Sequence, residues 1–262
     1  MCSNNNITVT LLGTGTSGGV PSLGCQCEVC RSKDPRDHRL RCVALVESAA
    51  GTRVLIDCGP DIRQQLMPLP FKPFDAILMT HIHYDHVGGI DDLRPFSVFG
   101  PINLYGDEKT CDHVRQIMPY CFGEHLYPGV PHLELHTIRP HEPLRIGDLE
   151  IIPIEVMHGK MPILGFRIGK FAYITDMKTI GDAELPYLDG VETLVVNALR
   201  FEKEHHSHQL VADAAEFAHK IGAKQTYITH VCHHIGLYDE AEKRMPEGLS
   251  LAYDGLKLTV ER

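Results

Sequence analysis

The sequence predicts an α+β chain in which two packed β-sheets are covered by helices. Three features of its 262 residues point there. Short apolar runs of strand length and strand composition recur from end to end. Segments of helical period fall between them. Strands dominate early, with the helices inserted among them, the pattern of sheets stacked face to face under helical layers. No repeat, low-complexity tract or Gly/Ser linker interrupts the chain, so residues 1–262 read as a single domain.

Taken in order, "ITVTLLG", "VALVES" and "RVLIDCG" read as strands, and "PDIRQQLM" spaces its apolar residues as a helix does. "FDAILM" is an unbroken apolar run, the mark of a buried strand, and "VGGIDDLRPF" beyond it opens like a helix. "INLYG" is a strand and "KTCDHVRQIM" a helix. "LEIIPIEVMH", "FRIG", "FAYITD" and "TLVVNAL" continue as strands. "SHQLVADAAEFAHKIG" is helical, "QTYITHV" a strand, "YDEAEKRM" helical, and "LKLTV" closes the chain as a strand.

Composition narrows the function. With 43% hydrophobic and 23% charged residues the chain has the balance of a soluble globular protein. No apolar run approaches the roughly 18 residues that a membrane span needs. The start, "MCSNNNITVT", lacks a basic stretch and an apolar core, so the expected location is cytoplasmic. Nine cysteines, an odd number, then suggest thiols or metal ligands before disulfides. A formal charge of -9 disfavours broad nucleic-acid binding through phosphate neutralisation, which leaves a small-molecule substrate as the expected partner.

Between strand and helix lies "THIHYDHVGG", which crowds three histidines and an aspartate into six residues. Such joints are where sheet proteins put chemistry. Four separated strand ends carry groups able to bind metal: His81, His83, Asp85 and His86 here, His158 in "IEVMH", Asp176 in "AYITD" and His230 in "TYITH". Strand ends on one sheet edge converge in space, and imidazole with carboxylate suits zinc, manganese or iron. In extended chain, residues two apart face one way, so His81 and His83 can share an ion while Asp85 and His86 face a second.

His-x-His-x-Asp-His followed by Gly-Gly, with His158, Asp176 and His230 after it, resembles the metallo-beta-lactamase superfamily. The resemblance implies a four-layer αβ/βα sandwich of two mixed β-sheets with two metals between them. It also implies that His81, His83 and His158 hold one metal, that Asp85, His86 and His230 hold the other, and that Asp176 bridges them. A bridging aspartate is a feature of the superfamily's phosphodiesterases and glyoxalase-type thioesterases, whereas true beta-lactamases usually lack one, so antibiotic hydrolysis is not expected.

Upstream, "GTGTSGGVPSLGCQCEVC" holds Cys25, Cys27 and Cys30 in a Cys-x-Cys-x-x-Cys array, a spacing that zinc explains better than buried thiols do. A structural zinc needs a fourth ligand, and "THVCHH" offers His233, with Cys232 and His234 as rivals. Gly13, Gly15 and Gly18 have dinucleotide-fingerprint spacing, but "VPSLGCQC" follows where that fingerprint needs a helix, which excludes a nicotinamide or flavin site.

The glycine-rich start, the cysteine array and "LIDCGPD" together resemble, over nearly the whole chain, the phosphoribosyl cyclic phosphate phosphodiesterases of the bacterial carbon-phosphorus lyase pathway. That resemblance implies a structural zinc on Cys25, Cys27, Cys30 and His233. It implies two divalent ions, zinc or manganese, in the active site. It also implies a catalytic His208, which stands 22 positions before His230. In this picture the two ions lower the pKa of a shared water and stabilise charge on a phosphoryl oxygen, with Asp85 and Asp176 holding them in register, while protonated His208 donates to the departing sugar oxygen. Asp57 orients a ligand from behind, and Arg63 belongs to an ordinary amphipathic helix. Residues 106–145 are the least typical of that family and are the candidate for a substrate lid or a homodimer contact.

The rivals are a tRNA 3′-processing endonuclease, a thioester hydrolase and a non-catalytic metal-binding or redox module of the same fold. The first needs a long arm between His158 and Asp176, where only 17 residues stand.

Overall fold

The computed structural model describes residues 6–123 and 128–262. Six strands build most of a first sheet: β1 (Asn6–Gly13), β2 (Val43–Ser48), β3 (Arg53–Ile56), β4 (Ala76–Leu78), β5 (Ile102–Gly106) and β6 (Leu133–Thr137). Seven form a second: β7 (Leu144–Ile146), β8 (Leu149–His158), β9 (Met161–Ile168), β10 (Phe171–Ile174), β11 (Thr193–Asn197), β12 (Gln225–Thr229) and β13 (Leu249–Leu251). The last strand, β14 (Leu256–Glu261), returns to pair antiparallel with β1, so the first sheet runs β14-β1-β2-β3-β4-β5-β6 and the second β13-β12-β11-β10-β9-β8-β7. Both sheets are mixed. β3 to β6 are mutually parallel, as are β10 to β13, and the remaining pairs are antiparallel.

The layering follows from where the apolar residues go. One buried cluster takes Ile7, Val9 and Val54 from the first sheet and Phe166, Phe171 and Tyr173 from the second, and so lies between the sheets. Two more lie outside. Val43, Leu55 and Ile77 on the outer face of the first sheet pack with Ile62, Leu93, Cys111 and Val114. Ala172, Leu194 and Val196 on the outer face of the second pack with Val211, Ala214, Phe217 and Ala241. Each sheet therefore buries both faces, which is why the strands read as near-continuous apolar runs and the fold has four layers.

The helices are short: α1 (Glu28–Arg31), α2 (Ile62–Leu66), α3 (Tyr84–Val87), α4 (Glu108–Ile117), α5 (Val211–Ile221) and α6 (Tyr238–Lys243). "VGGIDDLRPF" forms 3-10 turns over Ile90–Phe99 in place of the expected helix, because Pro95 stands inside it. α5 begins at Val211, later than its pattern suggested, and ends at Gly222 in the left-handed conformation. The expected zinc loop runs through α1. The stretch 106–145 supplies α4, β6 and β7, while its residues 124–127 lie outside those described.

Candidate metal centre

Every residue expected in the active site reaches one edge of the sandwich. His81 and His83 come from the turn after β4, Asp85 and His86 from α3, His158 from the last position of β8, Asp176 from just beyond β10 and His230 from just beyond β12. Ligand atoms of His81, His83 and His158 lie within 4.8 Å of one another, as do those of Asp85, His86, Asp176 and His230. His158, Asp176 and His208 form a third such group, so Asp176 and His158 join the clusters.

The backbone that sets this up is under strain. Asp57, Asp176 and His230 all have positive φ, at 67°, 59° and 54°, in a region that non-glycine residues seldom occupy. Two glycines let α3 approach β3. A Cβ on Gly59 would fall 2.1 Å from the Asp85 carbonyl, and one on Gly89 would fall 2.0 Å from the Gly59 carbonyl. With both absent, the Cys58 N–H donates to the His86 carbonyl at 2.7 Å and the Gly89 N–H to the Cys58 carbonyl at 2.9 Å. These contacts fix Asp85 and His86 against the strand.

Hydrogen bonds behind the site set the imidazole tautomers. The Thr80 hydroxyl donates to Asp57 at 2.9 Å, so it accepts from His81 Nδ1 at 2.9 Å and leaves His81 Nε2 bare. His86 Nδ1 donates to Asp57 Oδ2 at 2.6 Å, and His158 Nδ1 to the Asp176 and Ser207 carbonyls at 2.8 and 2.9 Å. Each of these rings thus presents Nε2 forward, the arrangement that metal-ligating histidines adopt. Asp57 acts on His86, as expected. Thr80, the Thr175 hydroxyl that donates to Asp176 Oδ2 at 2.7 Å, and the Ser207 carbonyl were not foreseen.

Divalent ions fit this donor set. His86 Nε2 and both ring nitrogens of His230 are buried without a hydrogen-bond partner. They nonetheless crowd carboxylates: His86 Nε2 is 3.2 Å from Asp85 and from Asp176, and His230 Nε2 is 3.1 Å from Asp176. Bare His81 Nε2 stands 3.0 Å from His83 Nδ1. Three buried carboxylates, Asp57, Asp85 and Asp176, find their ion-pair partners among the described residues only in histidines. Burial opposes a charge on His86, but Asp57, Asp176 and Asp85 outweigh it and hold the imidazole well above its ordinary value. Burial would raise Asp176 too, yet His230 and His86 hold it well below the carboxylate range. Negative charge this dense calls for cations, and orphaned nitrogens aimed between carboxylates are where divalent ions would bind.

His208 is buried beside this group. Its Nδ1 is 3.7 Å from Asp176 Oδ1, and its ring lies 4.7 Å from that of His230 and 4.8 Å from that of His158. Burial, reinforced by His230, pushes its imidazole down to about 3.

At the cysteine loop, Sγ of Cys25, Cys27 and Cys30 stands 3.2, 3.3 and 3.4 Å from His233 Nδ1. The structure thereby chooses His233 over Cys232 and His234. The Cys30 N–H and His233 lower the Cys27 thiol to about 6, while burial raises Cys30 to about 11. A zinc ion bound there would deprotonate the thiols outright.

Comparison with known proteins places the fold. Residues 52–231 match the model of the beta-lactamase superfamily domain, and the chain belongs to that superfamily. The crystal structure of a new diphosphatase from the PhnP family is 39% identical, with a TM-score of 0.89 and 97% of each chain covered. An octanoyltransferase of Porphyromonas gingivalis is 41% identical over 96% of this chain but 51% of its own length. A ribonuclease Z of Bradyrhizobium sp. is 32% identical over 60% of this chain and 48% of its own. The chain thus spans about half the length of the curated relatives it matches.

Proposed function

We propose that this protein is a phosphodiesterase acting on a small cyclic or nucleotide-like phosphodiester of the phosphoribosyl cyclic phosphate type. One observation carries the reading. Asp176 groups with Asp85, His86 and His230 on one side and with His158 and His208 on the other, and His208 Nδ1 is 3.7 Å from its carboxylate. Two metals sharing that carboxylate, with His208 left free as a proton donor, would suit a stable diester whose leaving group needs a proton.

His81, His83 and His158 would hold one ion, and Asp85, His86 and His230 the other, with Asp176 shared. When bound, such ions supply a water of lowered pKa and stabilise charge on phosphoryl oxygen. The rest is the work of the chain. Thr80, Asp57 and the carbonyls of Asp176 and Ser207 keep the ring nitrogens aimed. Thr175 fixes the shared carboxylate. His208 is neutral at rest; an anionic diester beside it favours the charged imidazole, which then gives its proton to the departing alkoxide. Cys25, Cys27, Cys30 and His233 would hold a zinc whose work is structural.

The 17 residues between His158 and Asp176 are taken up by β9 and β10, which leaves no room there for an RNA-gripping arm. This favours a small substrate over the RNA that the name ribonuclease Z implies. The octanoyltransferase relative makes an acyl thioester the natural counter-assay. The test is turnover by metal-loaded protein on a ribose cyclic phosphate and on an octanoyl thioester, with metal analysis. We expect diester hydrolysis, about two active-site ions plus one zinc per chain, and a loss of at least roughly 100-fold in Asp176→Ala together with active-site metal. Thioester hydrolysis without diester hydrolysis, or full activity with a single active-site ion, would overturn the reading.

A further inference from the structure

The His208 Nδ1 atom is buried with no hydrogen-bond partner, and the Asp176 carboxylate is 3.7 Å away from it. The aim of this ring is therefore left to packing. Three imidazoles stand against it, with ring centroids 4.7 Å away for His230, 4.8 Å for His158 and 4.9 Å for His205. All are at the separation that aromatic pairs adopt. His158 and His230 have work as candidate ligands, whereas His205 belongs to none of the candidate metal clusters.

His205 is itself anchored. The Ser207 N–H donates to its Nδ1 at 3.4 Å and the Ser207 hydroxyl at 3.2 Å. The carbonyl of the same buried serine accepts from His158 Nδ1 at 2.9 Å. The ring behind His208 is thus tied, through one residue, to a ring of the first cluster. A side chain that no hydrogen bond fixes can visit other rotamers unless a neighbour fills the space they need. For a proton donor that freedom is costly, because it must stay within hydrogen-bond reach of the leaving oxygen, and a displacement of about 1 Å can cost roughly 100-fold.

We propose that His205 is a positioning residue for the proton donor, its ring confining the His208 imidazole to the rotamer seen beside Asp176; this rests on the phosphodiesterase reading above. The test measures metal-loaded variants on a ribose cyclic phosphate and on bis-p-nitrophenyl phosphate. His205→Ala should keep its active-site metal and lower kcat on the ribose compound about 10- to 100-fold with KM moved little, while the p-nitrophenyl ester, whose leaving group needs no proton, loses clearly less. His205→Phe keeps a ring face without an acceptor for Ser207 and should recover most of the loss. His205→Asn keeps an acceptor without a ring and should not. Once His208 is alanine, His205→Ala should cost no more than about twofold, since its effect passes through His208. Equal losses on the two substrates, recovery by asparagine instead of phenylalanine, or an undiminished loss without His208 would overturn the assignment. If the wild type hydrolyses neither diester, the phosphodiesterase reading fails, and crystal structures of the metal-loaded proteins still decide His205. The wild type should hold His208 in one rotamer and His205→Ala should let it occupy others, whereas an unmoved His208 overturns the assignment.

Discussion

His230 and His233 stand three residues apart and point into different clusters: His230 Nε2 is 3.1 Å from Asp176, whereas His233 Nδ1 is 3.2 Å from Cys25 Sγ. Between them Val231 is pinned from both sides, its N–H donating to the Thr14 carbonyl and its carbonyl accepting from Thr16. The cysteine loop is therefore an anchor for the strand end that carries His230.

Cys27→Ser should lose the structural zinc and lower the melting temperature by roughly 10 °C, the scale of several kcal/mol in a chain of this size. Turnover per folded, metal-loaded molecule should fall much less. Calorimetric melting with zinc analysis checks this; unchanged stability and zinc with lost turnover would make the array catalytic.

Asp57→Ala should weaken the second ion by about 10- to 100-fold, because His86 Nδ1 and Thr80 both lose their acceptor. Competition with a chelator at fixed free metal gives the affinity. The ion at His81, His83 and His158 should be held more nearly as in the wild type, although Thr80 links the two.

His208→Ala should keep both active-site ions and hydrolyse diesters with alkoxide leaving groups about 100- to 10,000-fold more slowly. The loss on bis-p-nitrophenyl phosphate should be clearly smaller, since p-nitrophenolate departs without a proton. Equal losses would make His208 a phosphate binder, and lost metal would make it a ligand.

Asp254 accepts from the Leu40 N–H and the Thr14 hydroxyl, and burial pushes its carboxyl up to about 6 from 3.8. A folded pKa above the unfolded one means that the folded state binds the extra proton. The resulting stability is full below about 3.8 and is lost as pH rises through about 6. Denaturant melts should show the wild type gaining on Asp254→Asn as pH falls through that window. A constant difference would mean that Asp254 titrates normally.

Most of the fold was legible because each sheet is buried on both faces, so its central strands are unbroken apolar runs. The strands that escaped notice are β6, β7 and β13, and all three are sheet edges, short and half solvated. β9 was seen only in part, since Pro162 and Gly165 break its pattern. The candidate ligands were legible as polar residues ending apolar strands. Thr80, Thr175 and Ser207 were not, because a hydroxyl or a carbonyl that aims a ligand has no composition of its own. Nor could spacing choose among Cys232, His233 and His234, which only the path of the turn separates.

Each ligand cluster draws on both halves of the sandwich: His81, His83, Asp85 and His86 follow strands of the first sheet, and His158, Asp176 and His230 those of the second. An ion held there rivets one half to the other at that rim. Loading it should slow amide exchange in both halves together, including strands that never touch the ion. The same rivet sets a direction for failure, in which chelation lets the rim gape before either half comes apart.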